Sequence, residues 1–209
     1  TVIIATGCEH RQLGVKGEQE FAGRGVSYCA VCDGAFFRNR KLLVVGGGDS
    51  AVEEALFLTQ FASEVVIVHR RDELRAQKII QDRAFANPKI SFLWDSVVTE
   101  IKGNKMSMTG AVIENVRTKE IHEEEAGGIF IYVGLDPLTE AFKDTGITNE
   151  DGWIITDTQM RTSVPGVYAV GDVREKELRQ VTTAVGDGSI AGQQVFQFIE
   201  EQKDPKTTV

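Results

Sequence analysis

No apolar run in this chain reaches the roughly 18 residues that a membrane-spanning helix needs, and no excess of positive charge runs through it. Its 23 Lys and Arg are outnumbered by 31 Asp and Glu, for a formal net charge of −8. That balance speaks against a nucleic-acid surface and makes any basic cluster a local feature. Cysteines are few and odd in number: Cys8, Cys29 and Cys32. The opening TVIIATG has neither the basic flank nor the cleavage site of a signal peptide. An odd, unsignalled set of thiols argues against a secreted disulfide scaffold and for a reducing, cytoplasmic compartment. Repeats and low-complexity tracts are missing as well. What remains is ordinary: 209 residues, 42% hydrophobic and 26% charged, with 4 prolines, enough for one large domain or two small ones.

Val2 to Ala5 reads as a β-strand with nothing in front of it, so an N-terminal portion is expected to be lacking. Gly7 to Gly25 is glycine-rich and polar, as a linker would be. KLLVV (41–45) is a run of buried-strand type, followed at once by GGGDSA and then by apolar residues at helical spacing from Ala51 to Phe61. VVIV (65–68) is the next strand, a charged helix is predicted at about 72–86, and ISFLW (90–94) is a third strand. VVTEI, MSMTGAVIENV and KEI then look like short strands separated by turns, and IFIYV (129–133) closes the series. Strand–helix–strand–helix–strand is the pattern of a dinucleotide-binding α/β half. Gly134 to Pro137 has the look of a second linker. WIIT and VYAVGD follow, then a helix predicted near Ser189 to Glu201, and the tail KDPKTTV is expected to be disordered.

Gly46, Gly48 and Ala51 spell G-x-G-x-x-A directly after a strand and at the opening of a helix, the context that gives this fingerprint meaning. Gly46 allows the tight turn, Gly48 lets the backbone approach a pyrophosphate, and Ala51 lets helix and strand pack closely. With Gly47 between them, the helix N-terminus offers free N–H groups, and Asp49 or Ser50 is expected to cap it. The end of the second strand selects the cofactor: an acid there suits a ribose hydroxyl, an arginine a 2′-phosphate. Here His69, Arg70 and Arg71 stand at the strand end, with Arg75 a helical turn on. Planar guanidinium groups match phosphate oxygens, so NADP is expected over NAD, against the alternative of a solvated helix start. Gly186, Gly188 and Ala191 repeat the fingerprint without a following strand–helix–strand unit, and read as the N-terminus of a helix facing some other ligand.

SYCAVCDGAFF (27–37) sets two cysteines three positions apart. Zinc would need four ligands, and only one such pair is present, with Cys8, His10, His69 and His122 scattered. A stapling disulfide across so short a loop restrains little of the unfolded chain. A redox pair remains, one thiol acidified and the other resolving. Asp33 stands where it could move protons, although Asp33-Gly34 is also a simple turn signal. Phe36 and Phe37 read as packing residues and Cys8 as a small buried hydrophobe. Joining a dithiol to a nicotinamide calls for a flavin between them.

CAVCDG, VVGGGDSAVEEA, HRRDELRA, and TSVPGVYAVGDV with RQVTTAVGDGSIAG resemble, in this order, low-molecular-weight bacterial thioredoxin reductases. The resemblance runs from residue 5 to about residue 201. It implies two Rossmann-like FAD/NAD(P)-binding domains of three-layer ββα type: a complete NADPH domain at 12–137, and a partial FAD domain at 1–11 and 138–209 that could not build a full core alone. It implies an NADPH–FAD–thioredoxin electron path, with Cys32 the flavin-side thiol, Cys29 the interchange thiol and Asp33 the proton donor and acceptor. Thr6 and Gly7, Gly171, Asp172 and Val173, and Arg179, Gln180 and Val181 match the family's FAD-contacting segments, Asp172 for the ribitol. A homodimer and a rotation of the NADPH domain about segments 7–17 and 134–137 are likewise implied. The fragment by itself is expected to be inactive. Competing readings are a flavoprotein reductase of a peroxiredoxin, an oxygen-using flavin dithiol oxidase, and a non-catalytic NADP-binding module.

Overall fold

The computed structural model describes residues 1–203, so the disorder expected of the tail lies, beyond Lys203, outside the described residues. In chain order the elements are β1 (Val2–Ile4), β2 (Cys8–His10), β3 (Val26–Ser27), α1 (Ala30–Asp33), β4 (Lys41–Val45), α2 (Asp49–Leu58), β5 (Glu64–Val68), α3 (Lys78–Ala86), β6 (Ile90–Leu93), β7 (Ser96–Gly103), β8 (Met108–Asn115), β9 (Ile121–Glu125), β10 (Gly128–Ile131), β11 (Leu135–Pro137), β12 (Val167–Ala169) and α4 (Val181–Lys203). They divide into two compact units: His10–Gly134, and Thr1–Glu9 with the chain from Leu135 onward.

The unit His10–Gly134 is built on a five-stranded parallel sheet of order β3-β10-β4-β5-β6. Strands buried on both faces read as near-continuous apolar runs, and KLLVV and EVVIV do after their first residues, Lys41 and Glu64, which are only half-buried and pair with each other at the strand starts. Leu42, Val44, Val65, Ile67 and Phe130 face one side, where Val52, Ala55 and Leu58 of α2 and Ile80 and Ala84 of α3 cover them. Leu43, Val45, Val66, Val68, Ile129 and Ile131 face the other, against Val98, Ile101, Met108, Ala111 and Ile113 of the antiparallel β7-β8-β9 sheet. Sheet, sheet and helices make three layers, as expected. Each fully buried branched side chain contributes about 1.5–3 kcal/mol, and truncating Leu58, wholly buried, should cost about 2–5 kcal/mol.

Several local expectations give way to tertiary contacts. Residues 69–77 are not helical, because the backbone N–H groups of Arg75 (2.7 Å) and Ala76 (3.2 Å) donate to Gly47 O; α3 starts only at Lys78. Neither Asp49 nor Ser50 caps α2. The N-cap is Gly48 in an extended conformation, and Asp49 Oδ1 accepts instead from Gln77 N–H at 2.7 Å. Residues 7–25 are not a bare linker: they include β2, which pairs with β11 in the supposed second linker, and a buried knot. Glu18, 2% exposed, accepts from Leu13 N–H (2.9 Å), Gly14 N–H (2.7 Å) and the Tyr28 hydroxyl (2.8 Å).

In the other unit β1 and β12 run parallel, with Ile4 beside Ala169, over a small core of Ile4, Ile147, Ile154, Ala169 and Val173. WIIT contributes isolated bridges at Ile154 and no strand. α4 begins at Val181, so Gly186, Gly188 and Ala191 lie inside it. The repeated fingerprint is a stretch of helix interior, Ala191 packing against Met160, Tyr168 and Val170.

Candidate functional site

In the unit His10–Gly134, Gly46, Gly47, His69, Arg70 and Arg75 line a cleft of about 460 Å³ together with Ser96, Val98 and Tyr132. Gly46 takes φ 148°, and a Cβ there would meet Ala51 Cβ and Tyr132 O, so glycine alone fits this turn. Gly47 lies against the His69 ring, where a Cβ would overlap the imidazole; Gly48 faces open space. Gly48, Asp49, Ser50 and Ala51 form the N-cap and first turn of α2, with Asp49 and Ser50 exposed and Ala51 buried. Arg71 is exposed and outside the cleft lining.

His69 is 5% exposed. Burial, and then the Arg75 charge, push its pKa below the usual histidine value, while a hydrogen bond to the Glu73 backbone works the other way. The ring is therefore neutral at pH 7, and its Nε2 finds no hydrogen-bond partner among the described residues. A buried polar atom without a partner at a cleft wall, next to exposed arginines, is suited to a bound polar ligand.

Cys29 and Cys32 are joined in a disulfide. Cys29 is the N-cap of the short α1, and its Sγ accepts from Cys32 N–H at 3.1 Å. A sulfur held at a helix start beside a free amide has its negative form favoured. Asp33 is oriented by Ser27, whose hydroxyl donates to Oδ2 at 2.7 Å and which also accepts from Cys29 N–H at 3.1 Å. Cys32 is exposed and Cys29 half-buried. Phe37 packs in the core as expected, edge-on to Phe130, but Phe36 is 78% exposed and packs nothing.

The pair and the cleft share a residue. Tyr132, at the end of β10, lines the cleft, and its hydroxyl accepts from Ala30 N–H at 2.7 Å, one residue after Cys29. Burial, then Glu54 and Asp33, raise the Tyr132 pKa well above the ordinary tyrosine value, so the phenol stays protonated. Glu54 has its own pKa raised by burial and by Glu53, and its Oε2 has no partner among the described residues. Sequence reasoning missed Tyr132, Glu54 and Ser27. A serine two residues before the first cysteine was the one visible signal.

In the other unit the FAD-assigned residues sit at one end of the β1–β12 pair. Thr6 and Gly7 (φ 75°) follow β1, and Gly171 (φ 73°), Asp172 and Val173 form a 3-10 turn after β12. Asp172 Oδ1 is buried with no partner among the described residues, and a ligand hydroxyl would satisfy it. Arg179 lies 3.8 Å over the Trp153 ring and donates to Asp172 O at 3.4 Å; Gln180 and Val181 lead into α4. The turn is anchored by buried Asp187, which accepts from Gly171 N–H (3.0 Å) and pairs with Arg174 (2.8 Å) and Lys176 (2.9 Å). Cys8 is half-buried; burial and then Asp172 raise its pKa against a smaller opposing effect of Arg179. An orphaned carboxylate oxygen beside left-handed glycines fits a hydroxylated group such as a flavin's ribityl chain.

The family model for pyridine nucleotide-disulphide oxidoreductases matches residues 1–188. The chain belongs to that family. Among curated oxidoreductases of this family, a thioredoxin reductase of Listeria monocytogenes is 58% identical over 203 residues, covering 97% of this chain and 64% of the relative. A thioredoxin reductase of Bacillus subtilis is 54% identical over 208 residues, covering 100% and 66%. The solved thioredoxin reductase of Streptococcus pyogenes superposes with TM-score 0.92 at 64% identity, covering 96% of this chain and 66% of that one. The chain thus spans about two thirds of the length of these relatives, and the resemblance read from CAVCDG and HRRDELRA holds. The α/β fold with its Rossmann-like sheet is that of the family.

Proposed function

We propose that the protein containing this chain is an NADPH-dependent flavoprotein disulfide reductase whose substrate is oxidised thioredoxin. One observation carries the reading: the Cys29–Cys32 disulfide starts a helix that Tyr132 ties to the wall of a G-x-G-x-x-A cleft. A zinc site, a stapling disulfide and a non-catalytic nucleotide module all leave that juxtaposition without a use.

In this reading the α2 N-terminus receives the pyrophosphate, and Arg70, Arg71 and Arg75 receive the 2′-phosphate. Neutral His69 offers Nε2 to the ligand. Thr6, Gly7, Gly171, Asp172, Val173, Arg179, Gln180 and Val181 hold FAD, with Asp172 accepting from a ribityl hydroxyl. Bound FAD supplies the two-electron link between nicotinamide hydride and disulfide chemistry.

The protein's own steps follow from the thiol geometry. Two electrons and two protons convert the Cys29–Cys32 disulfide to a dithiol. The Cys29 thiolate, favoured by Cys32 N–H, attacks the thioredoxin disulfide and releases one thioredoxin thiol, leaving a mixed disulfide. The Cys32 thiolate then attacks Cys29 Sγ, releasing the second thiol and restoring the intramolecular bond. Asp33, held by Ser27, takes and returns the protons. The working protein is a cytoplasmic homodimer in this reading.

The test is NADPH-dependent reduction of a disulfide dye by the intact protein, with and without thioredoxin. Turnover that depends on thioredoxin and disappears in both Cys29→Ser and Cys32→Ser is expected. Full activity in either variant would overturn the assignment.

A further inference from the structure

Among the three arginines assigned to the 2′-phosphate stands an acid, Asp72. Left to itself, a carboxylate in that position would pair with a neighbouring guanidinium or repel an incoming phosphate. It would also resemble the acid that suits an unphosphorylated ribose. The structure shows where its charge goes. Asp72 Oδ2 accepts from Arg117 Nη2 at 2.6 Å, and Arg117 Nε pairs with Asp95 Oδ1 at 2.9 Å. Arg117 is exposed and lies in the turn between β8 and β9, a different layer of the unit from the arginine loop. Arg70, Arg71 and Arg75 enter no ion pair among the described residues.

Backbone contacts place Arg117 for this. Asn115 Oδ1 accepts from Arg117 N–H and Thr118 N–H, both at 2.9 Å, closing the turn. Val116 N–H donates to Asp95 O at 2.6 Å, Asp95 N–H to Arg71 O at 3.1 Å, and Ser96 N–H to His69 O at 2.9 Å. Turn, Asp95 and the arginine loop are therefore joined through main chain, and Asp95 holds φ 50°, a left-handed conformation that aspartate tolerates better than most residues. An isolated surface ion pair counts for little in stability. This one is aimed by its surroundings, and its effect is on which charges face the cleft. The hydrogen bond from Arg117 holds the Asp72 carboxyl below the ordinary aspartate range, so it stays an anion that needs a partner.

We propose that Arg117 is a specificity-determining residue: by engaging Asp72 on the side of the antiparallel sheet, it keeps that carboxylate off Arg70, Arg71 and Arg75 and leaves them for a 2′-phosphate. The inference rests on the NADPH reading above. It differs from a direct phosphate contact in one consequence. Removing Arg117 does harm only while Asp72 is charged.

The intact protein and its variants are titrated calorimetrically with 2′,5′-ADP and with 5′-ADP. Wild type should bind 2′,5′-ADP the more tightly. Arg117→Ala should weaken 2′,5′-ADP about fivefold, leave 5′-ADP unchanged, and be matched by Arg117→Gln. Asp72→Asn in the Arg117→Ala background should restore 2′,5′-ADP to within about twofold of wild type, the coupling expected of a charge released and then removed. Wild-type affinity in Arg117→Ala overturns the inference and leaves the NADPH reading standing. A double variant as weak as Arg117→Ala overturns it too, since Arg117 would then act on the nucleotide itself. A wild type with no preference for 2′,5′-ADP overturns both.

Discussion

Gly48→Ala separates nucleotide binding from folding. Gly48 is the N-cap of α2, with φ −92° and ψ 179°, an extended conformation open to alanine. A Cβ built there meets nothing within 4 Å. The change therefore costs the fold no more than the weak N-cap preference for glycine over alanine, about 1 kcal/mol or less. The open space is where a pyrophosphate would rest on the first amides of the helix. A methyl group there pushes the phosphate off at least one charge-assisted hydrogen bond of about 1.5–3 kcal/mol, which is about 10- to 150-fold in Kd. Gly47→Ala is the contrasting case, because its Cβ overlaps the buried His69 ring and overpacking of that kind costs about 1–3 kcal/mol. Calorimetric titration with NADP⁺ and urea unfolding of the intact protein read the two effects apart. Gly48→Ala should unfold close to wild type and bind weakly, and Gly47→Ala should lose in both. A Gly48→Ala protein that binds NADP⁺ within twofold of wild type would refute the placement of the pyrophosphate.

Tyr132→Phe should lower stability by about 1–3 kcal/mol in urea unfolding, because Ala30 N–H, in a fully buried residue, loses its acceptor; an unchanged midpoint would show that the tie does not hold. Arg70→Ala and Arg75→Ala should each raise KM for NADPH at least about tenfold with little effect on KM for NADH, as initial rates would show. Asp187 gives a pH dependence with a definite sign. Burial favours its protonated form, but hydrogen bonds from Lys176, Arg174 and Gly171 N–H and the Arg174 charge outweigh that and lower its pKa. The folded state thus binds this proton less readily than the unfolded state. The stabilisation is complete above the unfolded value of about 4 and is lost as pH falls below it toward the lower folded value. The stability gap between wild type and Asp187→Asn should accordingly be flat from neutral pH to about 5 and narrow below about 4. A gap that widens on acidification would reverse the sign.

Much of the unit His10–Gly134 was legible because its signals are local. LLVV (42–45) and VVIV (65–68) are unbroken apolar runs, as doubly covered parallel strands are, and GGGDSA needs no partner to mark the turn after β4. The errors fall where a distant group decides. A charged stretch such as Asp72 to Arg75 reads as helix until Gly47 O is there to accept the amides of Arg75 and Ala76. Asp49 looks like a cap until Gln77 N–H offers a better use for its carboxylate. Segments read as linkers turned out to hold Glu18, whose three donors lie up to ten residues away, and a strand pair between residues 8–10 and 135–137 that no local pattern announces. Tyr132 and Ala30 are 102 residues apart, and Arg117 and Asp72 are 45 apart, so their contacts are facts of topology. In the other unit, glycines inside α4 mimicked a helix start because the fingerprint G-x-G-x-x-A carries meaning only with the strand before it.

The account turns on reducing equivalents from NADPH reaching the Cys29–Cys32 disulfide. The intact protein is incubated anaerobically with NADPH, quenched with iodoacetamide and digested for mass analysis of the peptide spanning residues 25–38. Both cysteines should be carbamidomethylated after NADPH and neither in its absence. A peptide that keeps its disulfide under NADPH, in protein carrying its flavin, would contradict the account.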